Sequence, residues 1–150
     1  MSVQKDVPAV TVERVTIPSR FLKRDVMVDF YLPPDYSPQI PISLLLINDG
    51  QDLPKFGFDN MLFRLIHTGV IEPVLCIGIH CGEERKMEYG TAAIPDYLNR
   101  GAKAEWHRRF VFDELLPLAR VKFALNGFKD KSYAGFSLGG LSALDIAWAH

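Results

Sequence analysis

At 150 residues the chain is long enough for one domain with a buried core, and 48% hydrophobic against 23% charged residues is the balance of an ordinary globular protein. A net charge of -1, from basic and acidic residues scattered along the chain, excludes the electrostatic footprint of a protein that binds nucleic acid or acidic membranes. No run approaches the ~18 apolar residues of a membrane span, and the first residues, MSVQKDVPAVTVERV, lack the apolar stretch of a secretory leader.

The first ten residues are polar and are expected to be loose. Val10, Val12, Val15 and Ile17 then alternate with polar residues, and RDVMVDFYLPP places Val26, Val28, Phe30 and Leu32 on one face. Two such stretches predict an antiparallel strand pair with one solvated face, ended by Pro33-Pro34 because proline cannot donate to a strand ladder. SLLLIND follows, a short continuous apolar run that predicts a strand buried on both faces. A loop, DGQDLPKFGF, leads to FDNMLFRLIHTGV, where Met61, Leu62, Leu65 and Ile66 recur at helical spacing, with Asp59 as cap and Gly69 as stop.

EPVLCIGIH is a second buried strand, and a charged loop separates it from AKAEWHRRFVFDELLPLAR. There Trp106, Phe110, Val111, Leu115 and Leu118 form a helix face, and Pro117 is expected to kink or tighten the last turn. KSYAGF predicts a third inner strand and LGGLSALDIAWAH a closing helix. Continuous apolar strands alternating with helices predict an α/β fold with parallel inner strands and no second domain.

Between that last strand and helix the chain reads Gly135-Phe136-Ser137-Leu138-Gly139. Glycine two places before and after a serine, at a strand-to-helix turn, is the pattern of a nucleophile elbow, in which a strained turn exposes the hydroxyl above the sheet. The competing explanation is a pair of glycines that merely allow close packing. A nucleophilic serine needs two N–H donors for the developing oxyanion. The backbone of Leu138 supplies one, and the loop after the first buried strand supplies the other, with Gln51 N–H as the candidate and Gly50 allowing close approach. The alternative is that Asp49-Gly50 simply makes a turn.

Together with YLPPDY, LLLINDGQDL, ERKMEYG and FVFDELLPLARVKF, which spread over positions 31 to 144, YAGFSLGGLSAL resembles the enterochelin-esterase-like branch of the esterase D family of α/β-hydrolases. The resemblance implies a three-layer α/β-hydrolase sandwich and a serine carboxylic-ester hydrolase that needs no cofactor and acts on a small-molecule ester. Relatives cleave esters of siderophores, hydroxycinnamates or small thiols, and one branch transfers acyl groups. Ser137 falls on the family's nucleophile, and Gln51 and Leu138 fall on its oxyanion donors. Arg85, Glu88 and Tyr89 fall on a segment that borders the substrate cleft in relatives, and Asp49 shares that rim. For these the alternative is a surface ion pair and a packed aromatic.

In this family the acid and histidine follow the serine in the chain. Only Asp145 and His150 do so here, and on a helix rising ~1.5 Å per residue they lie ~12 Å and ~20 Å along the axis from Ser137, against the ~3 Å that a general base requires. Both are expected on the helix surface. A rewired triad from His80 with Asp49 or Asp52 would break the family order, and His67 and His107 fit helix surfaces or packed positions. Cys76, His80 and Cys81 are too few and too close for a four-ligand zinc site, and both cysteines fit a reducing, cytoplasmic compartment.

The expectation is therefore the amino-terminal part of one α/β-hydrolase domain, ending in the helix behind the nucleophile, with the triad acid and histidine beyond residue 150. A catalytically silent binding module and an acyltransferase of the same fold are the alternatives. An isolated 1–150 chain is expected to be inactive and to self-associate through the exposed edge of its last strand.

Overall fold

The computed structural model describes residues 9–150; most of the amino-terminal tail expected to be loose lies outside them. Five strands form one sheet in the order β1-β2-β4-β3-β5: β1 (Thr11–Ser19), β2 (Arg24–Leu32), β3 (Ile42–Asn48), β4 (Val74–Ile79) and β5 (Phe128–Ala134). The alternating stretches pair antiparallel as expected, with Val15 opposite Val28 and Ile17 opposite Val26, and β2 continues antiparallel onto β4. The continuous apolar strands β3 and β4 are parallel, as is β5 against β3. Each parallel step requires a crossover, and helices fill those crossovers on both faces of the sheet.

One face packs Val26, Val28, Phe30, Leu44 and Ile77 against Phe110, Val111, Leu115 and Ala119. The other packs Tyr31, Ile47 and Cys76 against Leu62 of α1 (Phe58–His67). Period-2 alternation in β2 sorts its residues between the two cores, although Leu32, expected with Val26, Val28 and Phe30, is only half-buried at the strand end. Among the described residues no helix is long and apolar enough to cross a membrane.

Several local expectations are corrected. The segment after β3 is a 3-10 helix over Gly50–Phe56 rather than a loop. Asp59 does not cap α1, because the helix already begins at Phe58 behind Gly57 in the left-handed conformation; Asp59 instead sits in the first turn, where its charge favours the helix dipole. The charged loop contains a short helix, α2 (Arg85–Glu88).

Pro117 does not stand in a last turn but near the start of a further helical segment, Leu116–Lys122. α3 (Ala104–Arg109) runs through a π segment, Phe110–Leu115, into α4 (Leu116–Lys122). Proline lacks the N–H that would close an α turn and its ring crowds the carbonyl four residues back; a wider turn just before it accommodates both. The buried face runs through His107, Phe110, Val111, Leu115, Leu116 and Ala119, while Trp106 is 44% exposed and stacks on Phe21.

The last strand also differs. It begins at Phe128, four residues before the apolar stretch; it stands at the sheet edge, as expected of residues 1–150 on their own, but with Lys129, Asp130, Lys131 and Ser132 exposed rather than with an apolar edge. Charged residues on an edge oppose strand-to-strand association. α5 (Leu138–Ala149) follows, with Gly139, Ser142, Ala143 and Ile146 buried and Leu141, Leu144 and Trp148 exposed.

Candidate functional site

The carboxyl ends of β3 and β5 meet at one rim of the sheet, where ligands bind in open α/β sheets. β5 stops at Ala134, and the chain turns into α5 within three residues. Ser137 lies in that turn at φ 54, ψ -124, solvent-exposed and immediately before the first residue of α5, Leu138. Such a backbone costs a non-glycine residue about 1–3 kcal/mol and persists only where the surroundings impose it.

The imposing contact is visible at Gly135. A Cβ there would lie 2.2 Å from the Gly139 carbonyl oxygen, so the strand end and the first helical turn can approach this closely only without a side chain. Gly139 has more room, since its Cβ would meet Asp49 Oδ2 at 3.0 Å and Asn48 Cβ at 3.4 Å.

β3 ends in a second strained turn. Asp49 is left-handed (φ 56, ψ 43), and a Cβ on the following Gly50 would fall 2.4 Å from the Gly78 carbonyl carbon of β4. Gln51 stands in the first turn of the 3-10 helix. Its side-chain amide donates to Asp49 Oδ1 (3.2 Å) and accepts the Cys81 N–H (3.0 Å), pinning the turn after β3 to the loop after β4.

A cleft of about 450 Å³ opens over this rim, lined in part by Asp49, Gln51, Leu53, Phe56, Arg85 and Phe136. Leu53, Phe56 and Phe136 give it an apolar wall, and Phe56 and Phe136 are largely exposed. On the polar side Arg85 grips Asp49 with two parallel bonds of 2.8 and 2.7 Å. Burial pushes the Asp49 carboxyl up, but the Arg85 fork and the Gln51 amide outweigh it and hold the group below the usual carboxylate range. Burial and the neighbouring Asp49 carboxylate push the Cys81 thiol up, away from the reactive thiolate.

Glu88 and Tyr89, expected at the cleft, lie beneath it. Glu88 is 3% exposed and accepts a fork from Arg24 of β2 at 2.7 and 3.0 Å, while the buried Tyr89 hydroxyl accepts the Asp49 N–H at 3.0 Å. The turn of α2 faces Arg85 outward and Glu88 inward, a division that the run ERKMEYG does not announce.

All four histidines are engaged away from Ser137. His80 Nε2 contacts Asp29 Oδ2 at 2.7 Å, and Asp29 is also forked by Arg14. His67 stacks on Phe63, and His150 meets Arg108 and Phe112. Asp145 accepts the Ala92 N–H at 3.0 Å. His107 is 2% exposed, with Nε2 3.2 Å from both Asn48 Oδ1 and the Tyr133 hydroxyl. Burial, with the Arg24 charge nearby, lowers its pKa to about 4. Among the described residues no three His, Cys, Asp or Glu side chains cluster so as to hold a metal ion.

Sequence reasoning passes over the buried group of Asn48, Tyr133 and His107. The one available signal is a polar residue, Asn48, closing the apolar run SLLLI.

A parallel-centred sheet flanked by helices, with a strained serine at the strand-to-helix turn, defines an α/β-hydrolase-type protein. The family model for "Putative esterase" matches residues 19–150, and the chain belongs to this esterase family. No curated protein matches the sequence. Among solved structures it is similar to the enterochelin esterase of Shigella flexneri, at 22% identity and a TM-score of 0.73 over 94% of this chain and 33% of that one. It is also similar to an IroE-like serine hydrolase of Shewanella oneidensis, at 23% identity and a TM-score of 0.74 over 90% of this chain and 45% of that one. A ferulic acid esterase aligns at 16% identity and a TM-score of 0.73, over 96% and 57% of the respective chains. The chain thus spans a third to somewhat over half of the length of these structures. At these identities the likeness is one of fold.

Proposed function

We propose that the complete protein is a serine carboxylic-ester hydrolase with Ser137 as nucleophile, and that residues 1–150 supply the amino-terminal part of its single domain. The observation that carries this reading is the Ser137 backbone, at φ 54 and ψ -124 between β5 and α5 on an exposed rim. A strained, exposed serine at a strand-to-helix turn supports a nucleophile elbow, and membership of the esterase family agrees with that reading.

In the proposed reaction Ser137 Oγ attacks the ester carbonyl carbon as a histidine takes its proton, and the carbonyl π electrons move to oxygen. The backbone N–H groups of Leu138 and Gln51 receive that oxyanion. Collapse breaks the C–O bond of the ester, and the same histidine returns the proton to the leaving alcohol. Water then cleaves the acyl-enzyme by the same route. Because the four histidines here have other partners, the base and its acid are assigned to chain after residue 150, as the family order requires. Exposed Leu141, Leu144 and Trp148 beside edge strand β5 support further structure on that side. The apolar wall formed by Leu53, Phe56 and Phe136 suits an apolar acyl or alcohol group on a small ester.

In the complete protein, Ser137→Ala is expected to abolish hydrolysis of p-nitrophenyl acetate while the protein remains folded. Undiminished turnover by the alanine variant removes the serine from the mechanism.

A further inference from the structure

We propose that Asn48 is a positioning residue for the reaction at Ser137: its side-chain amide locks the first turn of α5 to the end of β3, and so fixes the distance between the two backbone donors of the oxyanion. The proposal rests on the reading of Ser137 as nucleophile.

Asn48 is the last residue of β3 and is 3% exposed. Its Nδ2 donates to the Gly139 carbonyl at 2.9 Å. Gly139 follows Leu138, one proposed donor, and Asn48 stands three residues before Gln51, the other. One hydrogen bond therefore spans the two segments whose spacing defines the oxyanion site. Both segments are strained, with positive φ at Asp49 and at Ser137, so neither would hold its geometry as a free loop.

The amide is itself held. The Tyr133 hydroxyl donates to Asn48 Oδ1 at 2.8 Å, and His107 Nε2 lies 3.2 Å from the same oxygen. An amide oxygen has no proton to give, so the His107 nitrogen facing it carries the hydrogen. Burial keeps the ring neutral, so its other nitrogen carries no hydrogen. Oδ1 is thereby saturated by donors, and the amide cannot flip without placing its own NH₂ against two N–H or O–H groups. That leaves Nδ2 only one orientation, toward Gly139. Tyr133 comes from β5 and His107 from α3, so two elements fix the orientation of a side chain from a third, β3. An apolar side chain could fill this site without needing three partners, but it could not hold a carbonyl.

The test uses the complete protein with Asn48→Ala, Tyr133→Phe, the double variant and Ser137→Ala. Active sites are titrated with a fluorophosphonate, and turnover of p-nitrophenyl acetate is expressed per titrated site. Misplacement of donors lowers kcat per site, on the order of tenfold or more for Asn48→Ala, with KM little changed. Tyr133→Phe removes one of two donors to Oδ1 and is expected to cost roughly three- to tenfold. The double variant should be little worse than Asn48→Ala, because both act through the same bond.

A merely structural role gives fewer titratable sites with wild-type turnover at each, and that result overturns the proposal. If Asn48→Ala fails to fold, Tyr133→Phe decides by the same measure. Loss of labelling and turnover in Ser137→Ala, together with unchanged turnover per site in the other variants, refutes the positioning role alone. Labelling that survives Ser137→Ala refutes the nucleophile, and the proposal with it.

Discussion

His107 gives the protein a specific acid sensitivity. The folded chain binds a proton on this imidazole only near pH 4, because it is buried, whereas an exposed histidine does so near 6.5. Above pH 6.5 the ring is neutral in both states and the full stability is present. Between 6.5 and 4 the unfolded chain binds the extra proton, so stability falls as the pH falls, by about 3 kcal/mol over the whole window and about 2 kcal/mol between pH 7 and 5. The carboxyls of Asp29 and Asp49 are held below the usual carboxylate range, so the stability they contribute is lost only at lower pH, outside this interval. His107→Gln keeps an N–H donor for Asn48 but cannot titrate. Urea denaturation followed by circular dichroism at pH 7 and pH 5 should show the wild type losing about 2 kcal/mol more than the variant. An equal loss in the two proteins would refute the assignment of the buried neutral ring.

The crowding at the serine turn predicts an order of damage: Gly135→Ala, whose Cβ would fall 2.2 Å from a carbonyl oxygen, should cost several kcal/mol, and Gly139→Ala much less, as thermal denaturation of the two variants would show. A Gly135→Ala variant as stable as the wild type would mean that the turn is not held as described. The side chain of Gln51 is structural, so Gln51→Ala should cost about 1–2 kcal/mol by orphaning the Cys81 N–H, measured by urea titration, while retaining much of the esterase activity. Gln51→Pro removes the proposed oxyanion donor and should lower kcat on the order of a hundredfold. If alanine proved as damaging to kcat as proline, the side chain and not the backbone would serve the substrate.

Much of the architecture is written in local pattern. Alternation over Val26, Val28 and Phe30 marks a strand with distinct faces, and the unbroken runs at β3 and β4 mark strands covered by helices, because side-chain period and burial are properties of the element itself. The serine turn is legible for a related reason, since only glycine at position 135 permits the approach that the turn demands, and glycine is visible in the sequence. What could not be read depends on partners distant in the chain. Nothing local says that Glu88 would be buried against Arg24 or that His80 would meet Asp29 of a neighbouring strand. Asn48, Tyr133 and His107 are unremarkable polar residues in three separate segments, and only the packing of β3, β5 and α3 brings them into one buried group. Hydrogen bonds between elements carry no sequence period, so tertiary structure alone decides which polar side chains are drawn beneath the site and which remain in the cleft.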